Sequence, residues 1–288
     1  MANSVRKSGL FDATGGNPRG AARNVSAPGR VLLHVSYDGS AYSGFARQEN
    51  APTVCGRLEA AIASIDPKAG PLTCSSRTDR GVHARNHPVS FDTHQSLTMR
   101  GWALALSHRL PADISVSRAA SIESNFDPRR APLWKSYCYR FYRSQIDDPF
   151  LGRTSWRLGY QLDIAAMKKE ARSLIGTHDF CAFRSSEDER TETERTIFDV
   201  SLEPDASYPQ QWGIWVRGNR FLHNMVRIIS GTIVDVGRGK LAPGASLRAL
   251  SSKSRQDLGM TAPAHGLTLE RVELPDWGKD AWPPSILP

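Results

Sequence analysis

Apolar and polar positions along this chain follow two rhythms. Residues 31–39, VLLHVSYDG, are apolar almost throughout and end at Asp-Gly, which predicts a strand running into a turn. In TVCGRLEAAIASID (53–66), Val54, Leu58, Ala61, Ile62 and Ile65 share one helical face, and Thr53 is placed to cap it. VSF (89–91) reads as a short strand, MRGWALALSHRL (99–110) as a helix stopped by Pro111, and DISVSRA (113–119) as an alternating strand. The order then begins again. WKSYCYRFYRS (134–144) is a strand dense in aromatic and basic residues, and IAAMKKEARSLIG (164–176) is a helix with Gly176 as its C-cap. RTIFDVSLE (195–203) and WGIWVRG (212–218) are strands. RFLHNMVRIISGTIVDVG (220–237) is a long helix with a gap in its apolar face at Gly231, and HGLTLERVEL (265–274) is a closing strand.

Two successive sets of strand, helix, strands, helix, strand predict an α+β fold. Its two ferredoxin-like halves would carry mostly antiparallel sheets and flank a central cleft. A doubly wound parallel sheet is disfavoured because several strands follow one another without a helix between them. The division expected is a basic tail over 1–30, an N-terminal half over 31–125, a C-terminal half over 126–275 and a tail over 276–288. Residues 1–30 are rich in Gly, Ser, Ala, Asn and Arg with no apolar core, so they read as disordered rather than as a signal peptide, an organellar transit peptide being the alternative.

Charge adds a partner to this picture. The net charge is +8, which suits a polyanion such as nucleic acid or is simply a basic surface. Cys55, Cys74, Cys138 and Cys181 form no CxxC pair, so neither a zinc site nor a disulfide framework is expected, and a reducing cytoplasm is. No apolar run is long enough to span a membrane.

Candidate chemistry narrows to one loop. VDVGRGKL (234–241) lacks the first Gly and the Ser or Thr of a phosphate loop, so it reads as a helix end with a basic turn. His83 and His87 have metal-ligand spacing, but Ala84 stands where a zinc peptidase helix has Glu, and Gly81 and Pro88 bracket the pair. There is no GxSxG elbow. SSRTDRGVHA (75–84) places Asp79 between Arg77 and Arg80, whose charges would keep it ionised. Thr78 and backbone N–H groups near Gly81 could orient it. It is either a surface ion pair or a carboxylate nucleophile.

RTDRGVHA does not stand alone. With YDGSAYSGFARQ (37–48), TVCGRLEAAI (53–62), LPADISV (110–116), KSYCYRF (135–141), GTHDFCAF (176–183), FLHNMVRIISGTIVDVGRGK (221–240) and APAHGLTLERVEL (262–274), it resembles the TruA family of tRNA pseudouridine synthases. The resemblance spans about residues 31–275. It implies the pseudouridine-synthase fold and isomerisation of uridine to pseudouridine in the anticodon stem-loop of tRNA, at positions 38–40. It further implies no cofactor and no metal, and a cytoplasmic homodimer that contacts tRNA with both subunits. Asp79 would be the nucleophile, Tyr137 the active-site tyrosine that stacks on the base, and Arg227 the partner of the aspartate. Arg77 would hold the uridine flipped out, and Leu267 would shape the base pocket. Arg47, Arg129, Arg130, Lys135, Arg140, Arg143, Arg220, Arg238 and Lys240 are the candidate phosphate contacts. Ser76, Arg80, NHPV (86–89), Phe45 and the His-Asn pair of FLHNMVR depart from the family's commoner residues. Two other readings stay open: an RNA-binding or tRNA-folding protein without catalysis, and a metal-dependent hydrolase using His83, His87 and Asp79.

Overall fold

The computed structural model describes residues 29–283. The expected N-terminal tail lies outside them except for Gly29 and Arg30, which open the first strand. The first half contains β1 (Gly29–Tyr37), α1 (Val54–Ala63), β2 (Thr73–Cys74), β3 (His83–Thr93), α2 (Met99–Ser107) and β4 (Ile114–Ile122). The chain continues with β5 (Trp134–Arg143), β6 (Trp156–Leu158), α3 (Ile164–Arg172), β7 (Gly176–Asp179), β8 (Glu194–Pro204) and β9 (Gln211–Gly218). It closes with α4 (Met225–Gly237), α5 (Ala245–Ser252), β10 (Leu267–Glu273) and β11 (Lys279–Trp282).

The strands form one open sheet in the order β11-β4-β1-β3-β10-β5-β9-β8-β7, with β2 on β3 and β6 on β5. All pairings are antiparallel except β10 with β3 and β5 with β6. The expected α+β class with a mostly antiparallel sheet is therefore what the chain adopts. β10 joins the halves: Thr268 and Leu269 pair with His83 and Ala84 on one side, and Leu267 and Leu269 pair with Tyr139 and Tyr137 on the other.

Two apolar cores sit on this sheet. One packs α1 and α2 on β1, β3 and β4, around Leu32, Leu58, Phe91 and Trp102. The other packs α3 and α4 on β5, β8 and β9, around Tyr139, Phe141, Ile229 and Ile233. Tyr137 packs against both. β1 is buried on both faces over Val31–Val35, which explains its nearly continuous apolar run. His34 within it stacks on Trp277, ring centroids 4.7 Å apart. Among the described residues no helix is long and apolar enough to cross a membrane.

Thr53 caps α1 as expected, its Oγ1 accepting the Gly56 N–H at 3.2 Å. Several boundaries differ from the sequence reading, and four of the differences have a visible cause. The strand expected at 89–91 runs from His83, because β10 lines up beside its first residues. α2 ends at Ser107, since the N–H groups of Arg109 and Leu110 both turn onto the Leu106 carbonyl at 2.9 Å. α3 ends at Arg172 with Ser173 as C-cap, and Gly176, at φ 123°, opens β7 instead of capping the helix. α4 begins at Met225, not Arg220. Backbone groups of His223 are already taken by a neighbouring segment, and Asn224 adopts a left-handed turn at φ 62°.

Candidate active site

The Asp79 loop hangs between β2 and β3 and is clamped by the turn after β1. The Thr78 carbonyl accepts the Phe45 N–H at 3.0 Å, and the Val82 N–H donates to the Asp79 carbonyl at 3.1 Å. Gly44 lies so close that a Cβ there would stand 2.9 Å from the Thr78 carbonyl oxygen, and its φ of +103° already excludes most side chains. Gly81 turns the loop into β3 at φ 78°. The Thr78 hydroxyl does not reach Asp79, contrary to expectation. It is bonded to the Tyr37 hydroxyl at 2.7 Å, so it holds the loop rather than the carboxylate.

Arg77 and Arg80 were expected to keep Asp79 ionised, but both are exposed at the cleft rim and neither is ion-paired with it. The groups that meet the carboxylate come from the start of α4. Arg227 Nη1 lies 3.5 Å from one oxygen and His223 Nε2 lies 3.3 Å from the other. Arg227 is itself pinned. Its Nε donates to the Ala262 carbonyl at 2.8 Å and its Nη1 to Asn224 Oδ1 at 2.6 Å. The segment carrying Ala262 can approach because Gly231 has no side chain.

The carboxylate faces a cleft of about 790 Å³ between the two halves. Arg77, Thr78, Asp79, Tyr137 and Leu267 line it together, as expected, while Arg227 stands behind Asp79 rather than in the lining. Tyr137 is half-buried on β5 and meets Phe221 edge to face, centroids 5.1 Å apart. Burial, with a smaller contribution from the Asp79 charge, pushes its phenol up to about 12. Lys135 also lines the cleft. Its Nζ donates to the Ser75 carbonyl at 2.6 Å, and burial pulls its pKa down to about 8. His223, Asn224 and Phe221 escaped the sequence reading as site residues. The one signal was their place beside Arg227 in FLHNMVR, a polar pair opening an otherwise apolar helix.

The remaining basic candidates divide by their partners. Arg47 is ion-paired with Glu59 and Arg129 with Asp127, both outside the cleft lining. Arg140 is held by Glu270 at 2.7 Å, Arg238 and Lys240 by the buried Asp235, and Arg143 by Gln161. Arg130 and Arg220 are exposed.

His83 and His87 lie on β3 as strand residues, and both nitrogens of each ring are occupied. His83 accepts from the Gly39 N–H at 3.1 Å and donates to the His265 carbonyl at 3.0 Å. His87 Nε2 accepts the Ser76 N–H at 3.2 Å, which leaves its Nδ1–H to donate to the Tyr37 hydroxyl. Neither ring faces Asp79, so the metal-hydrolase trio is not assembled. Among the described residues no group of three or more His, Cys, Asp or Glu is arranged to hold a metal.

Burial pushes the His87 and His34 imidazoles down to about 3, with Lys135 and Arg118 adding to the effect respectively. The folded state keeps both neutral while the unfolded chain takes up protons near pH 6.5. Their contribution to stability is complete above about pH 6.5 and is lost as pH falls toward about 3, with up to about 1.4 kcal/mol per pH unit for each group. Thermal unfolding measured between about pH 7 and 4.5, above the carboxylate range, is expected to show a falling Tm. A flat profile there would refute the assignment of both rings as neutral.

Comparison with known proteins places this geometry in a family. The family model described as tRNA pseudouridine synthase matches residues 23–129 and 171–275. A tRNA pseudouridine synthase A of Halalkalibacterium halodurans is 40% identical over 246 residues, covering 85% of this chain and 92% of that protein. The tRNA pseudouridine synthase A of Bacillus subtilis is 36% identical over 245 residues, covering 84% of this chain and 98% of that one. Among solved structures, a chain in the crystal structure of a Cbf5-Nop10-Gar1 complex aligns with 83% of this chain and 48% of its own length, at 12% identity and a TM-score of 0.34.

Proposed function

The chain belongs to the tRNA pseudouridine synthase family, and on that premise we propose that it modifies uridines at positions 38–40 of the tRNA anticodon stem-loop, with Asp79 as the nucleophile. It is an isomerase that converts uridine to pseudouridine. The observation that carries the nucleophile assignment is the Asp79 carboxylate itself. It faces the cleft while Arg227 and His223 hold one oxygen each.

Each residue of the cleft has a part in this reaction. A cleft of about 790 Å³ has room for an extruded nucleotide. The Tyr137 ring, braced by Phe221, offers the base a stacking partner, and Leu267 closes the apolar side. Arg77, exposed at the rim, takes the backbone of the flipped nucleotide. Arg227 sets a guanidinium 3.5 Å from one Asp79 oxygen, a positive charge beside the attacking group. The carboxylate attacks C1′ and the bond from C1′ to N1 breaks. The freed uracil turns, its C5 bonds to C1′, and the carboxylate is released. Exposed Arg80 and Arg220 extend the cationic surface for flanking phosphates.

The enzyme works in the cytoplasm as a homodimer. Ile146 and Phe150, 77% and 85% exposed, are apolar side chains suited to a contact between copies. Light scattering would then read twice the chain mass.

Isomerisation must expel the hydrogen on C5. Purified protein incubated with tRNA tritiated at uridine C5 is expected to release tritium to water. Binding without release would make the chain an RNA-binding protein and overturn the assignment.

A further inference from the structure

Lys135 was expected to touch a phosphate, but its surroundings suit a different task. It is half-buried on β5 and lines the cleft. Its Nζ donates to the Ser75 carbonyl at 2.6 Å, a short bond of the kind an ionised donor makes. Ser75 opens the loop that carries Arg77 and Asp79. A phosphate could take this ammonium only by drawing it off the carbonyl.

The bond links the two halves of the chain. The loop is fastened to the first half: the Ser75 N–H donates to the Pro88 carbonyl at 3.0 Å and the Ser76 N–H to His87 Nε2 at 3.2 Å, both on β3. Further along, Thr78 is held by Phe45 and Tyr37. Lys135 reaches the same loop from the second half. Tyr137 is two residues on along β5, so the two side chains stand on one face, about 7 Å apart along the strand. Arg227 also approaches from the second half, but its contact with Asp79 is longer, at 3.5 Å.

Resting on the reading that Asp79 attacks a nucleotide held in this cleft, we propose that Lys135 is a positioning residue: its ammonium holds the Ser75 carbonyl and so sets the loop of Arg77 and Asp79 against the strand of Tyr137. It acts on the reaction through these three residues and not through the RNA backbone. A nucleophile and a stacking ring carried by different halves need such a tie, because a misplacement of about 1 Å in a reacting pair costs up to about 10²-fold in rate.

The tie depends on charge. Burial pulls the Lys135 ammonium down to about 8; Cys74 opposes this, while Arg220 and Arg190 add to it. Cys74, on β2, is itself raised by burial and stays a thiol at that pH. His87 on β3 is neutral, and the Tyr137 phenol is held up to about 12. Arg77, Asp79 and Arg80 of the loop and Glu187, Asp188 and Arg190 line the same cleft. The cross-strand neighbours, Val272 on β10 and Gly218 on β9, carry no charge. As pH rises through about 8, the lysine becomes an amine, whose bond to a carbonyl is roughly half as strong. Turnover at saturating tRNA should therefore fall across that range. Loss of a phosphate contact would instead appear in affinity.

The test uses Lys135→Met, which keeps an unbranched apolar stem without the donor, and Lys135→Arg, which keeps a cation that stays charged to high pH. Single-turnover tritium release from C5-labelled tRNA is followed at saturating protein, with tRNA affinity measured against salt and unfolding temperature alongside. Lys135→Met is expected to release tritium about 10–10²-fold more slowly while binding tRNA with the wild-type affinity and salt dependence. Lys135→Arg should recover most of the rate, and its alkaline fall should move above that of the wild type. A wild-type rate in Lys135→Met would overturn the proposal. So would weaker binding with a salt slope shallower by about 0.7–0.9, which marks a lost phosphate contact. Should Lys135→Met unfold, the pH profiles decide: coincident alkaline limbs for wild type and Lys135→Arg would overturn the proposal. Each of these results leaves the Asp79 reading intact, whereas no release by wild type would overturn both.

Discussion

Asp79→Asn is expected to lose turnover by at least about 10⁴-fold while keeping its fold and its affinity for tRNA. The substitution preserves volume and hydrogen-bonding shape but removes the anionic oxygen that would attack C1′. Nothing that holds the loop depends on that charge. Thr78 is tied to Phe45 and to Tyr37, and the Asp79 carbonyl accepts from Val82. The side chain is about one-quarter exposed, so an amide there needs no new buried partner. Two neighbours lose a charged partner, Arg227 and His223, but Arg227 keeps its bonds to Ala262 and Asn224. Tritium release sets the rate, and filter binding with thermal unfolding sets the other two quantities. A variant that unfolds would point to a structural ion pair, and one that turns over at the normal rate would remove Asp79 from the chemistry.

Gly231→Ala is the second large effect, and its sign opposes what the helix alone would give. In the middle of α4, alanine should stabilise by up to about 1 kcal/mol over glycine. Here its Cβ would stand 1.8 Å from the Met260 carbonyl oxygen, which is backbone and cannot rotate away. The 259–262 segment is fastened to α4 at four points. Gly259 N–H donates to Thr232 Oγ1 and Met260 N–H to Asp235 Oδ2, while Ala262 exchanges bonds with both the backbone and the side chain of Arg227. Accommodating the methyl means breaking some of these. A net destabilisation of about 2–4 kcal/mol follows, with a drop in Tm of ~10 °C. Activity should fall further than stability, because Arg227 is held toward Asp79 through Ala262. Thermal unfolding and tritium release on the same preparation separate the two. An unchanged Tm would mean that the segment does not lie on the helix.

Much of this architecture is legible in the order of the amino acids. A nearly continuous apolar run marks the doubly buried β1, and helical spacing marks α1, because burial writes itself directly into those patterns. The gap at Gly231 is visible too, although what fills it is not. Asp79, Tyr137 and Leu267 are reached through the family resemblance, and the cleft gathers all three. Three kinds of feature stay hidden. Short elements such as β6 and β11 hold three or four residues and carry no periodicity. The His223 contact depends on a left-handed turn at Asn224 and on Asp188, 35 residues away, so no local pattern records it. Internal neutralisation of basic residues is only partly local. Asp235 sits three and five positions before Arg238 and Lys240, close enough for the chain order to pair them, whereas Arg140 finds Glu270 only across the β5–β10 pairing.

The most direct test of the central claim is base-resolved mapping of pseudouridine in tRNA treated with wild-type protein or with Asp79→Asn at equal tRNA occupancy. Pseudouridine within positions 38–40 from the wild type, and none from the variant, is the predicted result. Pseudouridine formed by Asp79→Asn would contradict the assignment of Asp79 as the nucleophile.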